Sequence, residues 1–395
     1  MAAPLRPTQV DARDVLGIDG LYDGEEVMVR DTVRRFVRER VLPGIMGWYE
    51  EGTFPVEMAR EMGSLGLLGM HLEGYGCAGA SSTQYGIACL ELEAGDSGFR
   101  SFVSVQGSLA MFPIRAFGSD EQKERWLPVL ASGEAIGCFG LTEHDSGSDP
   151  GSMTTTARRD GDDWVINGGK MWITNGNLAD VAIVWAVDAS SGKVRGFVVP
   201  TDTPGFQANK VEHKLSLRAS VTSELVFTDM RLPGDAVLPG VEGLKGPLAC
   251  LNEARFGILW GAVGAARACY ESALDYAGNR EQFGGPIARF QLTQQKLVEM
   301  MLAVNKAHLV ALHLGRKKDA GTLSSTLVSF GKLDNVRVAM DVARMSRGLH
   351  GGSGITGEYP VMRHMANLES VYTYEGTNEI HTLILGQAIT GHSAF

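Results

Sequence analysis

The sequence is poor in cysteine, and its cysteines are not arranged in pairs. Five occur among 395 residues, and none forms a CxxC motif. Scattered single cysteines favour neither a disulfide framework nor a zinc knuckle, and they suit a reducing compartment. The sequence also lacks GxxxxGK[ST] and HExxH, the motifs of P-loop nucleotide binding and of one class of zinc protease. We therefore predict no metal site.

Positive charge is also scarce. Lysine and arginine number 36 against 46 aspartates and glutamates, which gives a net charge of −10. Nucleic acids require basic surfaces because their phosphates must be neutralised. We therefore expect no nucleic-acid partner, and an anionic ligand would need local Arg, Lys or helix N-termini.

Long apolar runs are missing as well. No run approaches the roughly 18 residues that span a bilayer, so no membrane insertion is expected. Residues 1–17 lack an apolar core and include Asp11 and Asp14, which disfavours a secretory or transit segment. We expect a cytoplasmic location, or an organelle matrix after processing.

What is present is a pattern that changes twice along the chain. Residues 1–135 show helical periodicity, and residues 136–245 contain short β-branched and aromatic runs separated by turn residues. Residues 246–395 contain three long helical stretches with short polar breaks. The predicted fold class is α+β, with an N-terminal helical domain, a middle antiparallel β domain and a C-terminal four-helix bundle.

A glycine motif near the C-terminus matches a well-known fingerprint. Residues 352–357 read GSGITG, which fits GxGxxG. A dinucleotide fingerprint must follow a strand and open a helix. Here a long helical stretch precedes the motif, so we interpret it as a helix C-terminus capped by glycine, or a loop that approaches a ligand closely.

Three other segments are unusual for simple packing. In residues 137–150, hydroxyl side chains alternate with glycines. In residues 171–176, a tryptophan indole lies beside a threonine hydroxyl. In residues 373–381, Glu375 comes just before a helix that Thr377 can cap. Each has a plain alternative: a polar domain-boundary turn, a hairpin end and a solvated carboxylate, respectively.

Together these segments resemble the acyl-CoA dehydrogenase family. Five motifs follow one another in the family's order, and the resemblance extends from about residue 20 onward. They are Leu-Thr-Glu with Gly-Ser-Asp, Trp-Ile-Thr-Asn, Arg-Glu-Gln-Phe-Gly, Gly-Gly and Tyr-Glu-Gly-Thr. Residues 96–101, 104–106, 215–220, 250–252 and 385–391 resemble its glutaryl-CoA branch.

The resemblance implies bound FAD and a homo-oligomer, usually a tetramer. Residues expected to contact the flavin are Phe139, Leu141, Thr142, Gly147, Ser148, Trp172, Ile173 and Thr174. The rest of the dinucleotide, partly in a neighbouring subunit, is expected to contact Arg280, Gln291, Gly348, Leu349, His350, Gly351, Gly352, Thr377 and Glu379.

The resemblance also implies α,β-dehydrogenation of an acyl-CoA thioester. Glu375 would remove the α proton, with Tyr374 and Gly376 beside it, and reduced flavin would pass electrons to an electron-transfer flavoprotein. Arg100 and Ser101 would hold the distal carboxylate of a glutaryl chain, and Glu93 would loosen that hold during loss of CO2. Coenzyme A would contact Ser148, Asn252 and Arg255.

Three other functions remain open at this point. A short- or branched-chain monocarboxylic acyl-CoA dehydrogenase would need no cation in its pocket. An acyl-CoA oxidase would return electrons to O2. A flavin- or CoA-binding scaffold would perform no chemistry, although the presence of Glu375 argues against it.

Overall fold

The computed structural model describes residues 10–394. The expectation for residues 1–17 therefore lies largely outside the described residues. The first part of the chain is helical, as the periodicity predicts. Its helices are α1 (Gly24–Phe36), α2 (Ile45–Glu51), α3 (Met58–Ser64), α4 (Ser82–Gly95), α5 (Ser97–Ser104), α6 (Phe112–Phe117) and α7 (Asp120–Ala131).

Local capping fixes where several of these helices begin. Helix α7 begins at a capping box: the Ser119 side chain accepts from the backbone N–H of Gln122, and the Gln122 side chain accepts from the backbone N–H of Ser119. Asp96 lies in extended backbone between α4 and α5 and caps α5. The chain therefore changes direction there, and the end of α4 comes to face the first turns of α5.

The middle part forms one seven-stranded sheet. Four of its six strand pairings are antiparallel, but β1 pairs with β4 and β2 pairs with β4 in parallel. The sheet is therefore mixed rather than purely antiparallel, because β4 is central and receives strands from distant parts of the chain. Its strands are β1 (Gly137–Gly140), β2 (Thr156–Asp160), β3 (Asp163–Thr174), β4 (Val181–Asp188), β5 (Val194–Pro200), β6 (Phe206–Lys210) and β7 (Thr222–Leu232).

The last part is a bundle of long helices. A two-stranded hairpin separates α8 from α9, where the sequence predicts only a polar break. The elements are α8 (Lys245–Asn279), β8 (Glu281–Gln282), β9 (Gly285–Pro286), α9 (Gln291–Asp319), α10 (Ser325–Leu349), α11 (Val361–Thr373) and α12 (Asn378–Thr390).

Two expectations can be compared with this bundle. By length and composition, α9 is long and apolar enough to cross a membrane. This corrects the expectation that no segment reaches that threshold. Within the described chain, α9 packs beside α8 and α10.

The glycine motif follows α10 and forms a 3-10 turn over Gly351–Ile355. In the described chain no strand leads into it, and α10 ends at Leu349 just before it, which agrees with the rejection of a dinucleotide fingerprint.

Candidate active site

The most deeply buried charges lie where α4 and α5 face α8. Arg100 Nε donates to Glu93 Oε2 at 2.6 Å, and both side chains are fully buried. Ser97 Oγ donates to the other carboxylate oxygen at 2.9 Å. Burial alone would lower the pKa of Arg100, but the Glu93 carboxylate outweighs burial and raises that pKa well above its usual value. The guanidinium therefore stays charged.

A glycine on α8 makes this ion pair possible. A Cβ at Gly261 would lie 2.0 Å from Glu93 Oε2 and 3.1 Å from Arg100 Nε. Any side chain at this position would displace the pair. The absence of a side chain on α8 at Gly261 therefore provides the space that the ion pair occupies.

The guanidinium of Arg100 has donors left over. Its Nη2 donates to the Tyr374 hydroxyl, which also lies 3.4 Å from Ser101 Oγ. Its Nη1 is buried and has no hydrogen-bond partner in the described chain. A buried donor without a partner costs free energy, so this atom marks a place where a ligand acceptor would be favourable.

Glu375 lies on a turn beside this cluster. Its φ is +52° and that of Gly376 is +95°, so two successive residues have left-handed backbone. Its Oε2 is buried and has no partner in the described chain. Burial raises the pKa of Glu375, while Arg100, Lys332 and Arg255 act to lower it. A carboxylate in this state can act as a base.

The helix after this turn begins as predicted. The side chain of Thr377 accepts from the backbone N–H of Ile380 and caps α12. Glu379 lies exposed in the first turn of that helix. The capping prediction is confirmed.

The carbonyl groups of the turn are held by two buried cations. Arg255 Nε donates to the Glu375 carbonyl at 2.6 Å. Lys332 Nζ donates to the carbonyls of Tyr374 and Gly376, the latter at 2.5 Å. Sequence analysis assigned Arg255 to coenzyme A, whereas the structure gives its guanidinium a partner within the chain.

The two segments expected at the flavin lie next to each other. The backbone N–H of Met171 donates to the Thr142 carbonyl at 2.8 Å, which joins the end of β3 to the loop after β1. Lys170 Nζ donates to the Leu141 carbonyl at 3.1 Å and to Glu143 Oε1 at 2.8 Å. Burial lowers the pKa of Lys170 to about 8, and Glu143 opposes this.

Comparison with known proteins decides which family has this arrangement. Family models described as the N-terminal, middle and C-terminal domains of acyl-CoA dehydrogenase match residues 23–134, 138–230 and 242–390. The chain belongs to the acyl-CoA dehydrogenase family. The short-chain specific acyl-CoA dehydrogenase of Bos taurus is 37% identical over 371 residues, which cover 92% of this chain and 89% of that protein.

Two solved structures are more similar to this acyl-CoA dehydrogenase. A glutaryl-CoA dehydrogenase from Mycobacterium smegmatis is 64% identical with a TM-score of 0.96, and covers 98% of this chain and 100% of its own. A second structure from that organism, described as a glutaryl-CoA dehydrogenase in complex with FADH2, is 58% identical with the same TM-score and coverage.

The cofactor of this acyl-CoA dehydrogenase is FAD, and the residues present fit it. Trp172 is 58% exposed with φ at +66°, so its flat ring is presented to solvent beside the Thr142 loop. Space next to Gly147 is open, and Ser148 is exposed. Phe139, Leu141 and Ile173 are buried beneath this surface, and Thr174 is half-buried. A planar ring system can lie against such a surface.

Other predicted contacts lie in the bundle. Arg280 and Gln291 are exposed on either side of the β8–β9 hairpin, and Gly348, Gly351 and Gly352 are exposed around the end of α10. Asn252 is half-buried on α8. No described contact joins any of these to the Glu375 cluster, so their cofactor and coenzyme A roles stay predictions.

Two residues predicted to contact FAD have side chains that are buried within the chain, and their contact with the cofactor stays a prediction. Leu349 packs in the hydrophobic core of the bundle. The His350 ring is buried between Tyr276 and Tyr359, with Nδ1 2.8 Å from the Ser346 carbonyl and Nε2 3.0 Å from Ser272 Oγ. Both ring nitrogens are engaged within the chain, so only the backbone of these residues can face a ligand.

Sequence analysis missed Lys332, although a signal was present. Val328, Lys332 and Val336 lie at i, i+4 and i+8 on α10, and both valines are buried. A lysine that interrupts an apolar helical stripe must be buried with it. Such a lysine needs a partner, and this one has the turn that carries Glu375.

Proposed function

We propose that this acyl-CoA dehydrogenase oxidises glutaryl-CoA and releases CO2 to form crotonyl-CoA. The single observation behind this proposal is the buried Arg100 Nη1, which lacks a partner in the described chain and belongs to a guanidinium that also contacts Tyr374. A distal carboxylate would satisfy this donor by a charge-assisted hydrogen bond. The glutaryl-CoA dehydrogenases of similar structure support the same substrate.

Glu375 performs the first step as a general base. Its buried carboxylate removes the α proton of the thioester, and its raised pKa makes it a stronger base than an exposed glutamate. Backbone N–H groups at this turn can donate to the thioester oxygen as negative charge develops there. Bound FAD supplies the acceptor for the β hydrogen and its electron pair.

The Arg100–Glu93 ion pair controls how tightly the distal carboxylate is held before it leaves as CO2. Oxidation leaves a glutaconyl thioester. Breaking its carbon–carboxylate bond releases CO2 and leaves the electron pair delocalised toward the thioester carbonyl as a dienolate, which takes up a proton to give crotonyl-CoA. Arg100 holds the carboxylate before this step. Glu93 competes for the same guanidinium at 2.6 Å, so the departing group is held less tightly than by an unpaired arginine.

A monocarboxylic acyl-CoA is the second candidate substrate. It is favoured by the similarity to a short-chain specific acyl-CoA dehydrogenase at 37% identity. Such a substrate would leave Arg100 Nη1 without a charged partner. Comparison of glutaryl-CoA with butyryl-CoA therefore separates the two candidates.

The deciding experiment mixes the FAD-loaded enzyme with each thioester under anaerobic conditions. Glutaryl-CoA should bleach the visible band of the flavin, and mass spectrometry should show crotonyl-CoA and CO2. The Glu375→Gln variant should bind substrate and leave the band almost unchanged. Faster bleaching by butyryl-CoA than by glutaryl-CoA would favour the second candidate, and native bleaching by Glu375→Gln would refute the assigned base.

The partner, assembly and location are also part of the proposal. We infer an electron-transfer flavoprotein as acceptor and a homotetramer from the family resemblance, and a cytoplasmic location from the scattered cysteines and the other sequence features given above. Peroxide formation in air without an added acceptor would instead identify an oxidase. Light scattering of the FAD-loaded protein measures the assembly.

A further inference from the structure

The turn that carries Glu375 is an unfavourable backbone conformation for its sequence. A glutamate with φ at +52° is strained, because its Cβ crowds the neighbouring peptide, and such residues persist only when their surroundings hold them. Gly376 tolerates its φ of +95°, and a Cβ there would lie 2.7 Å from His381 Nε2. Something outside the turn must therefore maintain it.

Lys332 contacts both sides of this turn. It lies in the middle of α10, is 2% exposed, and donates from Nζ to the carbonyls before and after Glu375. Its donors are thus directed to backbone carbonyls, and no described hydrogen bond joins it to the Glu375 carboxylate. Buried lysines are normally paired with an acid, so this arrangement leaves the carboxylate free while keeping a cation near it.

We propose that Lys332 is a positioning residue for the base: it clamps the turn at Glu375 and aims the carboxylate at the α carbon of the thioester. This inference rests on the proposed role of Glu375. Arg255 holds the Glu375 carbonyl from α8, and Lys332 supplies the opposite support from α10. Two helices thereby fix three consecutive carbonyls.

The clamp also acts on the charge of the base. Groups facing Glu375 are Arg100, Arg255 and Lys332, with Tyr374 and His381 close by. Burial lowers the pKa of Lys332 to about 7, and the Glu375 carboxylate opposes that effect. A cation that close favours the ionised carboxylate. Removing it should move the onset of activity to higher pH.

The test separates proton removal from hydride transfer. Acetyl-CoA has α hydrogens and no β carbon, so exchange of those hydrogens in D2O measures the base without oxidation. The variants are Lys332→Met, Lys332→Arg and Lys332→Gln, with Lys306→Met as a matched control. Lys306 is an exposed lysine on α9 in the same bundle. FAD content and thermal midpoint are measured for each protein.

Lys332→Met should slow α-hydrogen exchange by at least about 30-fold and raise the pH of half-maximal rate by about one unit. Lys332→Arg should restore the native pH midpoint because it keeps the charge, and Lys306→Met should match the native enzyme. Exchange by Lys332→Met within about threefold of native, with the native pH midpoint, overturns the proposal.

Lys332→Gln decides the matter if Lys332→Met does not fold. Glutamine retains donors for the carbonyls and loses the charge, so a raised pH midpoint supports the proposal and an unchanged rate and midpoint overturns it. Glu375→Gln distinguishes the two levels of inference. If Glu375→Gln exchanges the α hydrogens at the native rate, Glu375 is not the base. If Glu375→Gln shows no exchange while Lys332→Met exchanges at the native rate, only the positioning role of Lys332 is refuted.

Discussion

Arg100 Nε and Glu93 Oε2 lie 2.6 Å apart with both side chains fully buried, yet Arg100 retains an amino group that contacts no acceptor in the described chain. We predict that Arg100→Met lowers kcat/KM for glutaryl-CoA by at least about 100-fold, because a buried charge pair with the substrate is worth several kcal/mol. Butyryl-CoA is the internal control and should change far less. Equal losses of kcat/KM for both substrates would contradict the assigned carboxylate contact. Arg100→Met leaves Glu93 buried without its partner, so the double variant Arg100→Met/Glu93→Gln controls for the effect of that unpaired acid.

Glu93→Gln should affect the two stages of the reaction differently. Without the competing carboxylate, Arg100 should bind glutaryl-CoA more tightly and release the carboxylate more slowly. We therefore expect a lower KM together with a larger share of glutaconyl-CoA among the products, measured by quenched-flow mass spectrometry. A fall in affinity with an unchanged product ratio would show that Glu93 only supports the fold of the pocket.

The rate of flavin reduction should increase with pH. A base acts only when deprotonated, and burial raises the pKa of Glu375 above its ordinary 4.5. The rate at saturating butyryl-CoA should therefore rise through that higher value, which is measured by stopped flow between about pH 5 and 9. Glu375→Asp should retain a pH-dependent rise. A flat native profile across the acid range would contradict a buried base.

Lys170→Met should weaken retention of FAD. Lys170 ties the Leu141 carbonyl to Glu143, and Glu143 accepts from the backbone of Thr154 and Thr155 at 2.6 and 2.9 Å. Its loss leaves a buried carboxylate without its cation and loosens the loop that is expected to contact the flavin. The ratio of flavin to protein after gel filtration should fall. Lys193→Met is the control, since that lysine is 60% exposed and pairs with Glu242 on the surface.

Glu91→Gln should destabilise the protein by about 3 kcal/mol. Glu91 is buried on α4 and accepts from Arg34 and Arg267. Burial alone would raise the pKa of Glu91, but the arginines lower it from 4.5 to about 2. Its contribution is therefore complete above pH 4.5 and is lost as pH falls toward about 2. Thermal unfolding at neutral pH measures the loss.

A matched exposed pair provides the control for that experiment. Glu39 is 55% exposed and pairs with Arg38, which is 70% exposed. Surface pairs contribute at most about 1 kcal/mol, so Glu39→Gln should leave the thermal midpoint nearly unchanged. Equal effects of the two substitutions would contradict the dependence on burial.

Features that depend on neighbours in sequence were predictable. The caps at Ser119 and Thr377 could be read because their partners lie three residues away. The parallel pairing of β1 with β4 could not, because it joins segments some forty residues apart through a register that only the folded core selects.

In the candidate site, too, residues within local motifs were predictable, whereas contacts between distant elements were not. Motifs indicated Glu375, Arg100 and Trp172, but position in a motif did not reveal where a side chain points. The ring of His350, a residue expected at the cofactor, is engaged by Ser272 and Ser346 within the chain. The spacing of Lys332 with two buried valines indicates that this lysine is buried, but not what it contacts, because its partners are backbone carbonyls on another element. Backbone acceptors cannot be identified from residue types in a sequence.

The bare stretch of α8 at Gly261 has a consequence for redesign of the pocket. Since even a methyl group there would collide with Glu93 on α4, substitution of Gly261 alone cannot reshape this space in favour of a shorter or purely aliphatic acyl chain. Glu93, Arg100 and Gly261 lie on three different helices but share one tightly packed space. A change of specificity must replace all three together, with apolar side chains filling the space that the two charges leave.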